Sequence, residues 1–193
     1  ETVLEDDQAH EDEQALDGDQ IMLFSDAGKS VRFNQNKVRP MGRNSRGVRG
    51  MKLAQGQKLI SLLVAQSPEQ QVLTATEHGY GKRTPVGDYR LSGRGTQGVI
   101  AIDTGERNGK LVAATLVDPS DDVMLITTGG VLIRTPVSQI RETGRAAQGV
   151  RLINLDDGEK LICLVKVAES EDDAAEEGDE AAANLEAGEG AAE

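Results

Sequence analysis

Short apolar runs separated by polar turns organise the chain from residue 21 to 167. IMLF (21–24) and SVRF (30–33) flank the polar stretch SDAGK, and LISLLVA fills 59–65. VLTA (72–75), LVAATLV (111–117), VMLI (123–126) and LICLVKV (161–167) continue the series. Runs of four to seven residues rich in Val, Ile and Leu, bounded by glycine-containing turns, predict β-strands, and no ten-residue stretch carries a helical period. IMLF-SDAGK-SVRF predicts a hairpin with Gly28 at its turn, where a tight connection demands positive φ. A third strand is expected near VRGMKL (48–53) and a fourth at LISLLVA.

The same pattern returns at a fixed distance. GRNSRGV (42–48) comes back as GRGTQGV (93–99) and as GRAAQGV (144–150), each 51 residues on. Aligning residue n with n+51 and n+102 holds without gaps through Leu53, Thr104 and Leu155, with one inserted residue later in the second unit. Gly79 and Gly130 then occupy the slot of Gly28. Three units result, 21–70, 71–120 and 121–167, each of about four strands. A four-stranded unit repeated at this period is the pattern of a propeller blade, so an all-β, propeller-like fold of three blades, a partial disc, is expected.

The repeat separates scaffold from candidate chemistry. The columns Val48, Val99, Val150 and Val38, Tyr89, Ile140 are apolar in every copy and read as packing positions. Three columns are arginine in every copy: Arg32, Arg83, Arg134; Arg39, Arg90, Arg141; and Arg43, Arg94, Arg145. Arginine is seldom buried, and a charged edge that discourages sheet pairing would accept lysine or glutamate in some copies. Arginine throughout points to an anion with several oxygens, and the repeated anion of nucleic acid fits, with guanidinium groups and turn amides contacting phosphates without reading sequence. Arg46, Arg49 and Lys82 join these nine as candidate DNA contacts. The glycines of the turn, Gly42 and Gly47, are expected at special backbone angles.

Charge is segregated in the same sense. The net charge of −12 conceals nine acidic and no Lys or Arg residues in 1–20, and eleven acidic and no Lys or Arg residues in 168–193. The middle holds 13 acidic against 21 basic residues, about +8. Residues 1–20 read as an acidic linker or the remnant of a preceding blade. Residues 168–193 are too polar and too like-charged to bury a core and read as a disordered tail.

Other motifs dissolve on inspection. GRGTQG (93–98) matches a dinucleotide fingerprint, but its middle glycine, Gly95, becomes Asn44 and Ala146 in the sister copies and no helix follows. GYGKRT (79–84) lacks the spacing of a phosphate loop. Tyr89 shares its column with Val38 and Ile140, which makes it a packing residue and not a nucleophile. His10 and His78 are isolated, and no catalytic or metal-ligating set is visible. Cys163, the one cysteine, reads as a small buried strand residue in a reducing compartment. No apolar run approaches the roughly 18 residues of a membrane span, no signal peptide is recognisable, and Glu1 in place of methionine suggests a piece of a longer protein.

IMLFSDAGKSVRF, GRNSRGVRG, TATEHGYGKRTPV and TTGGVLIRTPVSQI, followed by GRAAQGVRLI, resemble the C-terminal domain of the DNA gyrase A family and, more distantly, that of topoisomerase IV. The resemblance implies a β-pinwheel, six-bladed in the family, whose basic perimeter wraps double-stranded DNA while strand passage at a distant gate introduces negative supercoils. It further implies a cytoplasmic bacterial protein, an A2B2 heterotetramer with the rest of gyrase A and with gyrase B, no membrane partner, no cofactor in this chain, and ATP and Mg2+ used in other domains or subunits. The family's signature box, glutamine-arginine-arginine-glycine-glycine-lysine/arginine-glycine, is absent; the three GR turns resemble degenerate versions of it. The alternative from a different class is a propeller fragment whose arginines meet an acidic protein.

Overall fold

A computed structural model describes residues 18–167. Residues 1–17 of the acidic N-terminal stretch and the acidic tail at 168–193 lie outside the described residues. The strands in chain order are β1 (Gln20–Ser25), β2 (Lys29–Asn34), β3 (Leu59–Ala65), β4 (Gln71–Thr76), β5 (Tyr80–Pro85), β6 (Val99–Ile100), β7 (Leu111–Val117), β8 (Asp122–Thr127), β9 (Leu132–Pro136), β10 (Val150–Arg151) and β11 (Leu161–Lys166). The helices among the described residues are single 3-10 turns, Gln35–Lys37, Val86–Asp88 and Val137–Gln139, each following the second strand of its unit.

The hairpins form where alternation and glycine place them. β1 pairs antiparallel with β2, β4 with β5 and β8 with β9. Gly28, Gly79 and Gly130 have φ of +68°, +78° and +81°, and each amide donates to the carbonyl three residues back, on Ser25, Thr76 and Thr127. These are the glycine slots the sequence predicts, and only a residue without Cβ enters that region cheaply.

The fourth strand of the first two sheets comes from elsewhere than expected. The first sheet runs β3-β1-β2-β6 and the second β7-β4-β5-β10, whereas the third, β11-β8-β9, has three strands. β6 lies in the second sequence unit yet pairs with β2 of the first, Val99 opposite Ser30; β10 of the third unit pairs with β5 of the second, Val150 opposite Gly81. The strand expected at 48–53 is therefore not a strand of its own unit's sheet, and its one ladder contact is a parallel bridge from Met51 to Thr96. Sequence units and sheets are offset by one strand. Close approach enforces the exchange: Gly98 and Gly149, both at positive φ, sit where a Cβ would collide with the carbonyls of Ser30 and Gly81. Gly42, Gly93 and Gly144, at the start of each turn, are not at positive φ, so of the two turn glycines only the second has the special geometry.

Alternate residues of the hairpins face opposite neighbours, so the core lies between sheets. Met22 and Phe24 meet Val72, Val86, Tyr89 and Ile102 between the first and second sheets, and Leu73 and Ala75 meet Val123, Leu125, Val137, Ile140 and Ile153 between the second and third. Repeat-equivalent residues therefore differ in burial at the ends of the stack. Leu111 and Leu161 are 1% and 0% exposed against a preceding sheet, while Leu59 in the first sheet is 47% exposed. Cys163 is half-buried on β11, less enclosed than its sequence setting suggests.

β3, β7 and β11 pack side by side along one edge of the stack. The opposite, outer edge carries β6, β10 and the GR turns. A polar latch repeats between sheets: Lys110 Nζ lies 3.7 Å from Asp26 and Lys160 Nζ 3.5 Å from Glu77, with the amides of Leu111 and Leu161 donating to the carbonyls of Asp26 and Glu77.

Candidate nucleic-acid interface

After the second and third 3-10 turns the chain leaves its own sheet, runs beside the second strand of the preceding sheet, makes the GR turn and returns as that sheet's outer strand. Ser92 N donates to Arg32 O at 2.8 Å, and Thr143 N to Arg83 O at 2.9 Å. The arginine columns are distributed along this excursion, and their positions separate them into two kinds.

Two of the three arginines of the first column, Arg32 and Arg83, hold sheets together. Arg32 is 8% exposed, and its Nη1 donates at 3.0 Å to the carbonyls of both Val86 and Tyr89 in the next unit. Arg83 repeats the contact, with Nε 2.6 Å from Ile140 O and Nη1 2.8 Å from Gln71 Oε1. Burial pulls the Arg32 pKa below its ordinary value, the sign of a charge withdrawn from water. Arg134 is exposed and pairs with Asp122 at 2.6 Å on its own hairpin. Lys82 leaves the expected set of solvent-facing cations as well. It is 0% exposed, and its Nζ donates to Gly144 O at 2.6 Å and to Arg145 O.

The other two columns lie on the excursion itself. Arg39, Arg90 and Arg141 are exposed, as are Arg43, Arg46, Arg49 and Arg94, while Arg145 is half-buried. Arg94 and Arg145 each spend part of the guanidinium on scaffold, in equivalent ways. Arg94 Nε donates to Lys37 O at 2.9 Å and Nη1 to Arg49 O at 3.4 Å; Arg145 Nη1 donates to Ile100 O at 2.7 Å, and Ile100 is the repeat equivalent of Arg49. A guanidinium has five donors, so each keeps N–H groups for another anion. Backbone bonds set the second turn on the unit before it, with Gly95 N on Gly50 O and Lys52 N on Thr96 O. The result is a row of turns along the outer edge. It is most basic at 37–52, where Lys37, Arg39, Arg43, Arg46, Arg49 and Lys52 stand with no acidic residue among them.

Two further arginines escaped the column argument because their equivalents are not basic in every copy. Arg107 and Arg151 lie over the ring of Tyr80, at 4.3 Å and 5.4 Å from its centroid, and Arg151 Nη2 donates to the Tyr80 hydroxyl at 2.8 Å. That hydrogen bond, then the one from Arg107, pulls the Tyr80 pKa below its ordinary value. Gln148, in the third GR turn, bonds Arg107 and Asp103 and holds the Asp103 carboxyl below its usual range. Tyr89 is fully buried, its ring 5.9 Å from Phe24 at 80°, and burial raises its pKa. It packs, and it faces no site. Among the described residues no helix is long and apolar enough to cross a membrane.

The family model of the DNA gyrase C-terminal domain, beta-propeller, matches residues 19–66, 70–118 and 121–164. The DNA gyrase A protein of Neisseria gonorrhoeae is 51% identical over 195 aligned residues that cover 79% of this chain and 21% of that protein. That of Pseudomonas aeruginosa is 50% identical, over 86% of this chain and 18% of that protein. A solved DNA gyrase A C-terminal domain superposes with a TM-score of 0.71 at 27% identity, covering 79% of this chain and 52% of that one. The topoisomerase IV C-terminal domain, at 21% identity and a TM-score of 0.72, shares the fold. This chain spans about a fifth of the curated relatives and about half of the solved gyrase domain. Three matched repeats, an all-β stack of offset sheets and half-identity to gyrase A proteins place the chain in the DNA gyrase A C-terminal domain family.

Proposed function

We propose that this chain is a DNA-binding and DNA-wrapping part of a gyrase A protein, and that the outer edge carries the contacts. The observation that supports it most is the division of labour among the arginines. Arg32 and Arg83, which the fold needs, are turned onto carbonyls, while Arg39, Arg43, Arg46, Arg49, Arg90, Arg94 and Arg141 remain exposed, with Arg145 half-buried, on turns stepped along one edge. Such a row contacts successive phosphates of a duplex curving past it and reads no bases. In the whole enzyme the edge would support ATP-dependent negative supercoiling in the cytoplasm, with ATP and Mg2+ handled outside this chain and gyrase A assembled with gyrase B.

The test is duplex binding against salt. Each phosphate contact contributes about 0.9 to the slope of log K against log salt. Replacing Arg43, Arg46 and Arg49 with alanine is expected to flatten that slope by up to about 2.7 with the fold intact. An unchanged slope, or stoichiometric binding to an acidic protein with none to DNA, refutes the reading.

A further inference from the structure

Position 82 breaks its own column. The equivalents of Lys82 are Val31 and Ile133, so a lysine replaces an aliphatic residue in one sheet only. Val31 packs with Leu23 and Phe33 and lies beside Gly98 of the second GR turn, whereas Lys82 runs beneath the third turn and ends between two of its carbonyls, those of Gly144 and Arg145. No carboxylate closes an ion pair with it among the described residues. A buried ammonium is costly unless its donors are used, and here two of the three are used on the turn.

We propose that Lys82 is a positioning residue for DNA binding: its ammonium, held by the carbonyls of Gly144 and Arg145, fixes the turn from which Arg145 reaches the outer edge. The part about DNA rests on the function proposed above; the clamp itself does not. The turn closes on itself through Ala147 N, which donates to Gly144 O at 3.2 Å, and Arg145 is braced from the other side by Ile100 O. Lys82 therefore orders the same carbonyl that closes the turn.

The clamp has a pH range. Burial, and then repulsion from Arg145, lowers the Lys82 pKa to about 8 against a smaller opposing pull from Asp88. Below that value the bonds are charge-assisted; above it a neutral amine still has two donors for the two carbonyls, but the charge assistance is gone and the turn loosens. Global stability moves the other way. The folded state holds this proton less tightly than the unfolded chain, whose lysine keeps its ordinary 10.5. The cost of burying the charge is thus fully present below pH 8 and is relieved as pH rises from about 8 to 10.5. A looser turn in a more stable fold is a signature that a purely structural lysine does not give.

The experiment follows the Ala147 amide by hydrogen exchange, as protection relative to the free peptide, from pH 7 to 9, beside duplex affinity at constant ionic strength. In the wild-type chain, protection and affinity are both expected to fall, affinity by about fivefold, the worth of turning charge-assisted bonds into neutral ones. Lys82→Met should show neither pH dependence, and the double variant Lys82→Met, Arg145→Ala should bind no more weakly than Arg145→Ala alone. Lys82→Arg, which stays charged throughout, supplies a second variant with a flat profile if Lys82→Met does not fold. A wild-type pH profile in Lys82→Met, or additive losses in the double variant, overturns the proposal. Should no variant bind DNA, the function reading fails by itself. The exchange data then decide the clamp: pH-independent protection of Ala147 in the wild-type chain rejects it.

Discussion

Arg32 Nη1 donates to the carbonyl of Tyr89 across 3.0 Å, joining the first sheet to the 3-10 turn that begins the next excursion, 57 residues along the chain. The arginine is nearly buried and shares itself with Val86 O as well. A residue that looks like a DNA contact in the repeat is thus a bolt between sheets.

That bolt separates stability from binding. Arg32→Ala is expected to lower unfolding stability by about 2 kcal/mol, the range for bonds to a charged donor whose partners lose it, with the salt slope of DNA binding unchanged. Arg39→Ala should do the reverse, changing stability by less than about 0.5 kcal/mol and the slope by about 0.9. Urea unfolding and titrations at several salt concentrations measure both, and equal behaviour of the two variants would contradict the division.

Tyr89 offers a sharper packing test. Its hydroxyl is buried beside Thr84 with no well-formed hydrogen bond, while the ring stacks edge-on against Phe24. Tyr89→Phe is expected to change stability by less than about 1 kcal/mol, because the weak interaction with Thr84 roughly offsets the cost of burying the hydroxyl. Tyr89→Ala should cost about 3–5 kcal/mol. A large loss in the phenylalanine variant would show that the hydroxyl has a role.

The two end faces of the stack predict association. Leu59, Leu62 and Val64 stand exposed on the first sheet, and Leu132, Ile133, Ile162 and Val165 on the third. Among the described residues the third sheet also has no counterpart of the outer strand that β6 and β10 supply to the other two. Sedimentation of this chain should show mass increasing with concentration. Leu62→Lys with Val165→Lys should return it to a monomer without changing the hairpins; a wild-type chain that is monomeric at every concentration counts against this.

Residues 168–193 bring eleven carboxylates and no Lys or Arg to a middle of about +8. If the outer edge binds DNA as proposed, a tethered segment of that charge is expected to compete for it, and deleting the segment should tighten duplex binding at low salt. The gain should fade as the screening length shortens toward about 8 Å at physiological ionic strength. Identical affinities with and without the segment, across salt, would leave it no part in binding.

Much of this molecule was decided locally and was therefore legible in its residues. The hairpins follow from short-range alternation and from a glycine at each turn, and the strands at 21–24, 30–33 and 59–65 stand where their apolar runs stand. The resemblance to the gyrase A C-terminal family was legible for the same reason, since it lies in contiguous motifs. What only the tertiary structure decided is which sheet receives the strand after the second and third GR turns. In a repeat every sheet offers the same edge, so pairing Val99 with its own unit or with Ser30 of the unit before produces the same periodicity; the choice is made by packing between residues distant in the chain, which no local pattern records. The fate of the arginines followed from that choice. Charge and spacing can be read along a chain, but desolvation depends on what is folded over a side chain. The offset of sheets covers Arg32, Arg83 and Lys82 with a neighbouring unit's carbonyls and leaves Arg39, Arg43, Arg90 and Arg141 in water.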